Sequence, residues 1–290
     1  MKNITMIQLR NVIKDYENID IEFVDIRKKM HEFSESFGQT VTDRQENRLY
    51  SGEFTLTIYF RLFIAELFPE LDKAVYIDSD TVINDDIAKL YSVDMGDAMF
   101  GAVRDTFAGK NTILAHYIEN VVGIERNEYV NSGVLVMNLD KMRRTHLADI
   151  FLKLMAEYHF DSVAPDQDYI NAICAKDIYF LDKEWNVMPN KGGEYMARPK
   201  LIHFNLFDKP WHYSEIPYEE YFWQYAAESG FYPLLIKQRE QYGDSERSAD
   251  RENLKKLLAR AENIADGDGV KFSDVVGSGS FAGDNILEEI

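Results

Sequence analysis

The segment Lys73-Ala-Val-Tyr-Ile-Asp-Ser-Asp-Thr-Val-Ile83 decides how the rest of the chain is read. Residues 74–77 form a short apolar, partly β-branched run, the pattern of a buried strand. The run ends in Asp78-Ser79-Asp80. Side chains two apart on an extended segment share a direction, so both carboxylates can face one small volume. In open α/β sheets, ligands bind at the carboxyl ends of strands. Two convergent carboxylates repel unless a cation or a proton lies between them. The first expectation is therefore a divalent-metal site holding a phosphorylated ligand. The same tripeptide also fits a turn or a helix cap after the strand.

The chain has 290 residues, 46% of them hydrophobic, enough for one large core or two small ones. A net charge of -18 and a pI of about 4.8 exclude nucleic acid as a natural partner and disfavour docking on anionic lipid. A single cysteine, Cys174, rules out an internal disulfide and fits a reducing compartment. Its neighbours Ile170, Ala172 and Ile173 predict a buried structural thiol. The opening Met1-Lys-Asn-Ile-Thr-Met has no signal-peptide core, and no apolar run is long enough to span a bilayer. The expected compartment is the cytoplasm.

Outward from the Asp78 strand, residues 54–68 read as a buried helix closed by Pro69, and residues 31–53 as a polar loop over a site. Residues 7–16 predict a helix and residues 19–26 a strand. Downstream come a short helix or turn at 85–90, a strand at 99–104 and a helix at 111–122. A central strand at 133–139 leads into one amphipathic helix over 141–158, with Leu147, Ile150, Phe151, Leu154 and Met155 inward. A helix at 166–175 and strands at 178–181 and 201–204 follow. Strands alternating with helices predict an α/β fold with parallel character. Residues 210–235 are crowded with aromatics and read as a closing helix packed on the core. The pattern divides the chain into a main domain (1–235), a helical extension (236–264) and a flexible acidic Gly/Ser-rich tail (265–290).

Other residues could serve the same site. His203 ends a short strand, and an imidazole with two carboxylates suits Mn²⁺ better than Ca²⁺. Lys209, six residues on, could hold a phosphate as a point charge. Arg61, set among apolar residues, needs a partner: Asp78, Asp80 or a phosphate. Asp166-Gln167-Asp168 opens a helix and fits simple N-capping. Asn131-Ser-Gly133 fits either an ordinary turn or an amide presented to a polyhydroxyl ligand.

Taken in order, these segments resemble family 8 retaining glycosyltransferases, a group that includes bacterial lipopolysaccharide galactosyl- and glucosyltransferases and, more distantly, glycogenin. The matching set is Tyr59-Phe-Arg61-Leu, Tyr76-Ile-Asp78-Ser-Asp80, Asn131-Ser-Gly-Val-Leu-Val-Met-Asn138-Leu, Asp166-Gln-Asp168, Lys183-Glu-Trp185-Asn186, and His203 with Lys209-Pro-Trp211. It covers about residues 5 to 235. The resemblance implies a GT-A type fold: a Rossmann-like mixed sheet flanked by helices, here with a C-terminal helical extension. It also implies Mn²⁺ (or Mg²⁺) held by Asp78, Asp80 and His203. Arg61, Leu206 and Lys209 then match positions near the donor diphosphate, and Asp105 and Asn131 match positions around donor sugar and acceptor. Asp166 and Gln167 match catalytic positions, with Gln167 nearest the anomeric carbon. Two departures stand out. Relatives carry glycine where this chain has Leu206, and they open with a strand–helix–strand unit that this chain begins without. That start fits a truncated chain, a start assigned late, or a degenerate homologue.

The implied activity is transfer of a hexose, with retention, from a UDP-sugar to a glycan or lipid-linked saccharide. Gln167 is a neutral amide and a poor nucleophile, so attack on the face of departure is the more natural route. Two alternatives stay open. Tyr76-Ile-Asp78-Ser-Asp80-Thr-Val82 also resembles the nucleophile motif of haloacid-dehalogenase-like phosphohydrolases. A non-catalytic sugar- or metal-binding homologue is the other.

Overall fold

The computed structural model describes residues 3–26, 48–49, 52–53, 56–189 and 195–276. The expected loop at 31–53 lies outside the described residues, except for a short pairing of β1 (Arg48–Leu49) with β2 (Gly52–Glu53). The chain opens with α1 (Asn3–Ile13), as expected. The strand expected at 19–26 is absent: 19–25 is irregular, and no described strand lies beside it to supply a ladder.

The expected helix at 54–68 is a 3₁₀ helix (Leu56–Phe63) continued by α2 (Ile64–Leu67), and it carries Arg61 into the core. Next come β3 (Lys73–Ile77), β4 (Thr81–Ile83) and α3 (Ile87–Tyr91). They lead to β5 (Phe100–Arg104), α4 (Thr106–Lys110) and α5 (Thr112–Tyr117), the last continued by a π-helical turn (Ile118–Val122). Then follow β6 (Val130–Asn138), α6 (Leu139–Arg144), α7 (Leu147–Tyr158), α8 (Pro165–Cys174), β7 (Ile178–Phe180) and β8 (Leu201–His203). Helices α9 (Glu219–Glu228), α10 (Tyr232–Gln241), α11 (Asp244–Asp266) and α12 (Phe272–Val275) close the described chain.

The main sheet has the order β3-β6-β5-β7. β6 runs antiparallel to β3 and β5, whereas β5 and β7 are parallel, so the sheet is mixed; among the described residues the expected parallel character is limited to that pair and an isolated Val187–Ile202 bridge. β6 is buried from Val130 to Met137, as a central strand should be, whereas β3 is half-buried at the edge of the described sheet. A separate antiparallel ribbon joins β4 to β8, with Thr81 opposite His203.

Three expectations are corrected here. The helix expected at 141–158 is two helices, α6 and α7, broken at His146, whose φ is 52°. The Thr145 hydroxyl donates back to the Lys141 carbonyl at 2.9 Å, a bond that competes with helix continuation. The tail expected from Ala265 starts too early: Ala265 and Phe272 are buried in the main core beside Leu257 and Ala261. The aromatics at 210–235 serve a smaller core around the ribbon, where Tyr213, Tyr221 and Phe222 pack on Val82, Ile202, Phe204 and Tyr218. Cys174 is buried as expected, and burial pushes its thiol far up. Among the described residues, no helix is long and apolar enough to cross a membrane.

Candidate active site

The site sits where the main sheet hands over to the ribbon. β3 stops at Ile77, and Asp78-Ser79-Asp80 is a turn rather than the extended strand end expected. Both of its ends are nevertheless tied. The Asp78 amide donates to the Gly133 carbonyl of β6 at 2.8 Å, and the Asp80 carbonyl accepts from the Phe204 amide after β8 at 2.9 Å. That turn therefore delivers both carboxylates to His203. Ligand atoms of Asp78, Asp80 and His203 lie within 4.8 Å of one another. His203 Nε2 is 3.3 Å from Asp80 Oδ1 and 3.7 Å from Asp78 Oδ2. Two oxygens and an imidazole nitrogen make a donor set suited to a borderline divalent ion, and the residues fit one.

Gly133 makes the approach possible. A Cβ there would lie 2.7 Å from His203 Nδ1 and 2.8 Å from Asp78 Oδ2. Asn131-Ser-Gly133 is thus strand, not turn, and Gly133 is required for close packing. Gly133→Ala is expected to cost about 1–3 kcal/mol of stability through overpacking and to weaken divalent-ion binding by displacing either ligand. Thermal melts with and without Mn²⁺ measure both effects, and wild-type values for the two would refute the packing argument.

Arg61 braces the carboxylates. Its NH2 lies 3.1 Å from Asp78 Oδ1, and its NH1 lies 2.9 Å from Asp166 Oδ2 and 2.7 Å from the Ser132 carbonyl. The Tyr76 ring lies under the guanidinium at 4.4 Å, and the Tyr76 hydroxyl donates to Asp78 Oδ1 at 2.6 Å. Burial works against the Arg61 charge, but Asp166 and Asp78 outweigh it and raise the pKa. Lys209 pairs with Asp80 and also donates to the Phe204 carbonyl. Burial pushes the Asp80 carboxyl up, yet His203 and Lys209 together hold it well below the usual range. Arg61 thus takes Asp78, one of the partners expected for it, while Lys209, expected to hold a phosphate, contacts Asp80.

Beside this lies a buried amide cluster. The Gln167 Oε1 accepts from the Ser132 amide at 3.0 Å and from Asn131 Nδ2 at 3.1 Å, while Gln167 Nε2 donates to Asp105 Oδ2 at 3.2 Å. Asp105 caps α4, its other oxygen accepting from the Ala108 amide. The Asp166 side chain accepts from Ser132 Oγ at 2.8 Å; burial raises its pKa against the pull of Arg61. The capping alternative holds for Asp168 in part: the N-cap of α8 is Ala164, with Pro165 starting the helix, and Asp168 Oδ2 accepts from the Ala164 amide at 3.3 Å. Asp168 is fully buried and accepts from the hydroxyls of Tyr117, Tyr129 and Ser162 at 2.5–2.6 Å. Burial raises its pKa, and those hydroxyls pull the other way.

A cleft of about 260 Å³ joins these groups. Asp78, Asp80, His203 and Leu206 line it together with the apolar Ile58, Phe107, Leu114 and Leu257. Leu206 adopts φ 54°, the left-handed region where leucine is strained and glycine is not. Leu206→Gly should therefore raise stability by about 1 kcal/mol, read from urea unfolding; a loss of stability would show that the side chain's contacts outweigh the strain.

The sequence reading left three contributors without a role: Tyr76, Ser132 and Asn186. Tyr76 precedes Asp78 by two residues, a spacing that could have flagged it. Nothing in the sequence joins Asn186 to His203; the structure puts Asn186 Oδ1 3.2 Å from His203 Nδ1.

A mixed sheet flanked by helices, with an Asp-Asp-His junction beside it, defines a fold of the GT-A type found in glycosyltransferases. A solved structure of the bifunctional glycosyltransferase WbbM shares that fold, with a TM-score of 0.64 and 21% identity over 83% of this chain and 45% of its own. The sequence model of glycosyl transferase family 8 matches residues 5–215, and the chain belongs to that family. Glycosyltransferase GlyF of Streptococcus pneumoniae is 25% identical over 249 residues, 77% of this chain and 59% of GlyF. The lipopolysaccharide 1,2-glucosyltransferase of Escherichia coli is 25% identical over 185 residues, 59% of this chain and 54% of its own. The chain thus spans a little over half the length of these two relatives.

Proposed function

We propose that the chain is a metal-dependent retaining glycosyltransferase that moves a hexose from a UDP-sugar to a hydroxyl of a glycan or lipid-linked saccharide. The observation that carries this reading is the convergence of Asp78, Asp80 and His203 at the sheet–ribbon junction, with Arg61 and Lys209 against the carboxylates. A divalent ion bound there, Mn²⁺ or Mg²⁺, supplies the charge that offsets a departing diphosphate. Arg61 holds the Asp78 carboxylate in orientation. Lys209, paired with Asp80, would add a second positive charge beside the same leaving group. Asp105, Asn131 and Asp166 face the cleft and would orient sugar hydroxyls. Gln167 has its carbonyl oxygen occupied by two donors, which favours same-face attack over a covalent sugar–Gln167 intermediate. The acceptor proton would pass to the departing diphosphate oxygen. The acceptor class is supported by family membership and by the lipopolysaccharide enzyme among the relatives.

The phosphohydrolase reading is not favoured. Its nucleophile would be Asp78, whose Oδ1 is held by both Tyr76 and Arg61. The test is UDP release from a panel of UDP-hexoses with Mn²⁺, together with proton NMR of the product's anomeric centre. Mn²⁺-dependent release with a retained anomer is expected. No release from any UDP-hexose, or an inverted product, would reject the proposal.

A further inference from the structure

Asn186 lies outside the triad and off the cleft lining, yet it is only 2% exposed and touches the triad's imidazole. Its orientation follows from groups whose hydrogen-bonding sense is not in question. The Gly133 backbone N–H can only donate, and it meets Asn131 Oδ1 at 3.0 Å. The Asp105 carboxylate accepts, and it meets Asn131 Nδ2 at 3.3 Å. Those two contacts fix which end of the Asn131 amide is oxygen. Asn131 Oδ1 then needs a donor on its other side, and the Asn186 amide supplies Nδ2 at 2.9 Å. The remaining atom, Asn186 Oδ1, faces His203 Nδ1 at 3.2 Å. An amide oxygen cannot donate, so the proton of that contact is on Nδ1. His203 Nε2 is left facing Asp80 and Asp78.

We propose that Asn186 is a positioning residue that holds the His203 ring through Nδ1–H, so that Nε2 is the nitrogen turned toward Asp78 and Asp80 and toward any cation they bind. An outer-shell group of this kind sets both the ring orientation and the nitrogen free to bind a metal. The chain of amides also ties the imidazole to α8: Asn131 Nδ2 donates to Gln167 Oε1 as well as to Asp105. A shift of Asn131 would therefore reach His203 through Asn186. The consequence for metal binding rests on the function proposed above; the protonated Nδ1 does not.

Long-range ¹⁵N–¹H spectra of the full chain, labelled at its six histidines, read the tautomer directly without added metal, and His203→Gln assigns the signals. The wild type should show His203 protonated at Nδ1. Asn186→Leu should move it to Nε2–H or a mixture, and its Mn²⁺ affinity, read from the signal of free Mn²⁺ by EPR, should fall about 10–100-fold. Asn186→Asp keeps an acceptor for Nδ1–H and should restore both the tautomer and the affinity to within a few-fold. A wild-type Nε2–H tautomer overturns the proposal. So does Asn186→Leu with wild-type spectra and affinity, or Asn186→Asp behaving like Asn186→Leu. If the wild type shows Nδ1–H, lost in Asn186→Leu, but binds no Mn²⁺, the Nδ1–H assignment stands and the metal-dependent function fails.

Discussion

Asp80→Asn should lower UDP-sugar turnover by about 10³-fold at any Mn²⁺ concentration while the protein stays folded. The amide replaces the carboxylate nearly isosterically, so the loss is chemical. Asp80 lies 3.3 Å from His203 Nε2 through one oxygen and is paired with Lys209 through the other. Its replacement removes one ligand charge and also releases Lys209 from its pair. Asp78→Asn should lower turnover similarly, because Arg61 then retains only Asp166 as its carboxylate partner. Mn²⁺ titrations of UDP release, paired with thermal melts, separate chemistry from folding. An Asp80→Asn protein that kept a tenth of wild-type turnover at saturating Mn²⁺ would remove Asp80 from the metal set.

Asp168→Ala should destabilise the fold by about 4 kcal/mol, a large share of the 5–15 kcal/mol typical of a domain. The carboxylate is fully buried and is the common acceptor for three hydroxyls, Tyr117, Tyr129 and Ser162. Truncation leaves those donors buried without a partner, and each orphaned group costs about 1–3 kcal/mol. Tyr129→Phe removes a single donor from the cluster and should cost only about 1 kcal/mol. Urea unfolding of the two variants gives the comparison directly. Equal effects would mean that Asp168 does not act as the hub. The hub matters for the site because Asp166 and Gln167 occupy the same helical turn. Asp168 thereby anchors the two residues that face the amide cluster.

Much of this protein is legible in one dimension. Local apolar runs and their turn residues were enough to place β3, β5, the central β6, α8 and β8. Asp78, Asp80 and His203 each had an ordinary structural reading, and it was their place in an ordered set of family-like motifs that tied them to one site. Leu206 was visible as a departure from a glycine position, with its strain conditional on φ; the backbone there is left-handed. The apolar neighbours of Cys174 anticipated its burial.

What failed in one dimension depends on neighbours that sequence distance hides. The alternation at 19–26 needs a partner strand, and a ladder cannot be read from one strand alone. Helix 141–158 has a continuous apolar period, but the Thr145 back-bond and the left-handed His146 break it. Residues 265–276 look like a tail by composition, yet Phe272 finds a buried place against the aromatics Phe160 and Tyr169. The opening tripeptide shows the division most clearly. Sequence determined that Asp78 and Asp80 are paired and lie after a strand, because side-chain chemistry and local spacing are written in the chain. Tertiary structure decided that they lie in a turn between sheet and ribbon. There Arg61, Lys209 and Gly133 come within contact of them from 17, 129 and 55 residues away. Electrostatics and packing act through distance in space, and only the folded chain sets those distances.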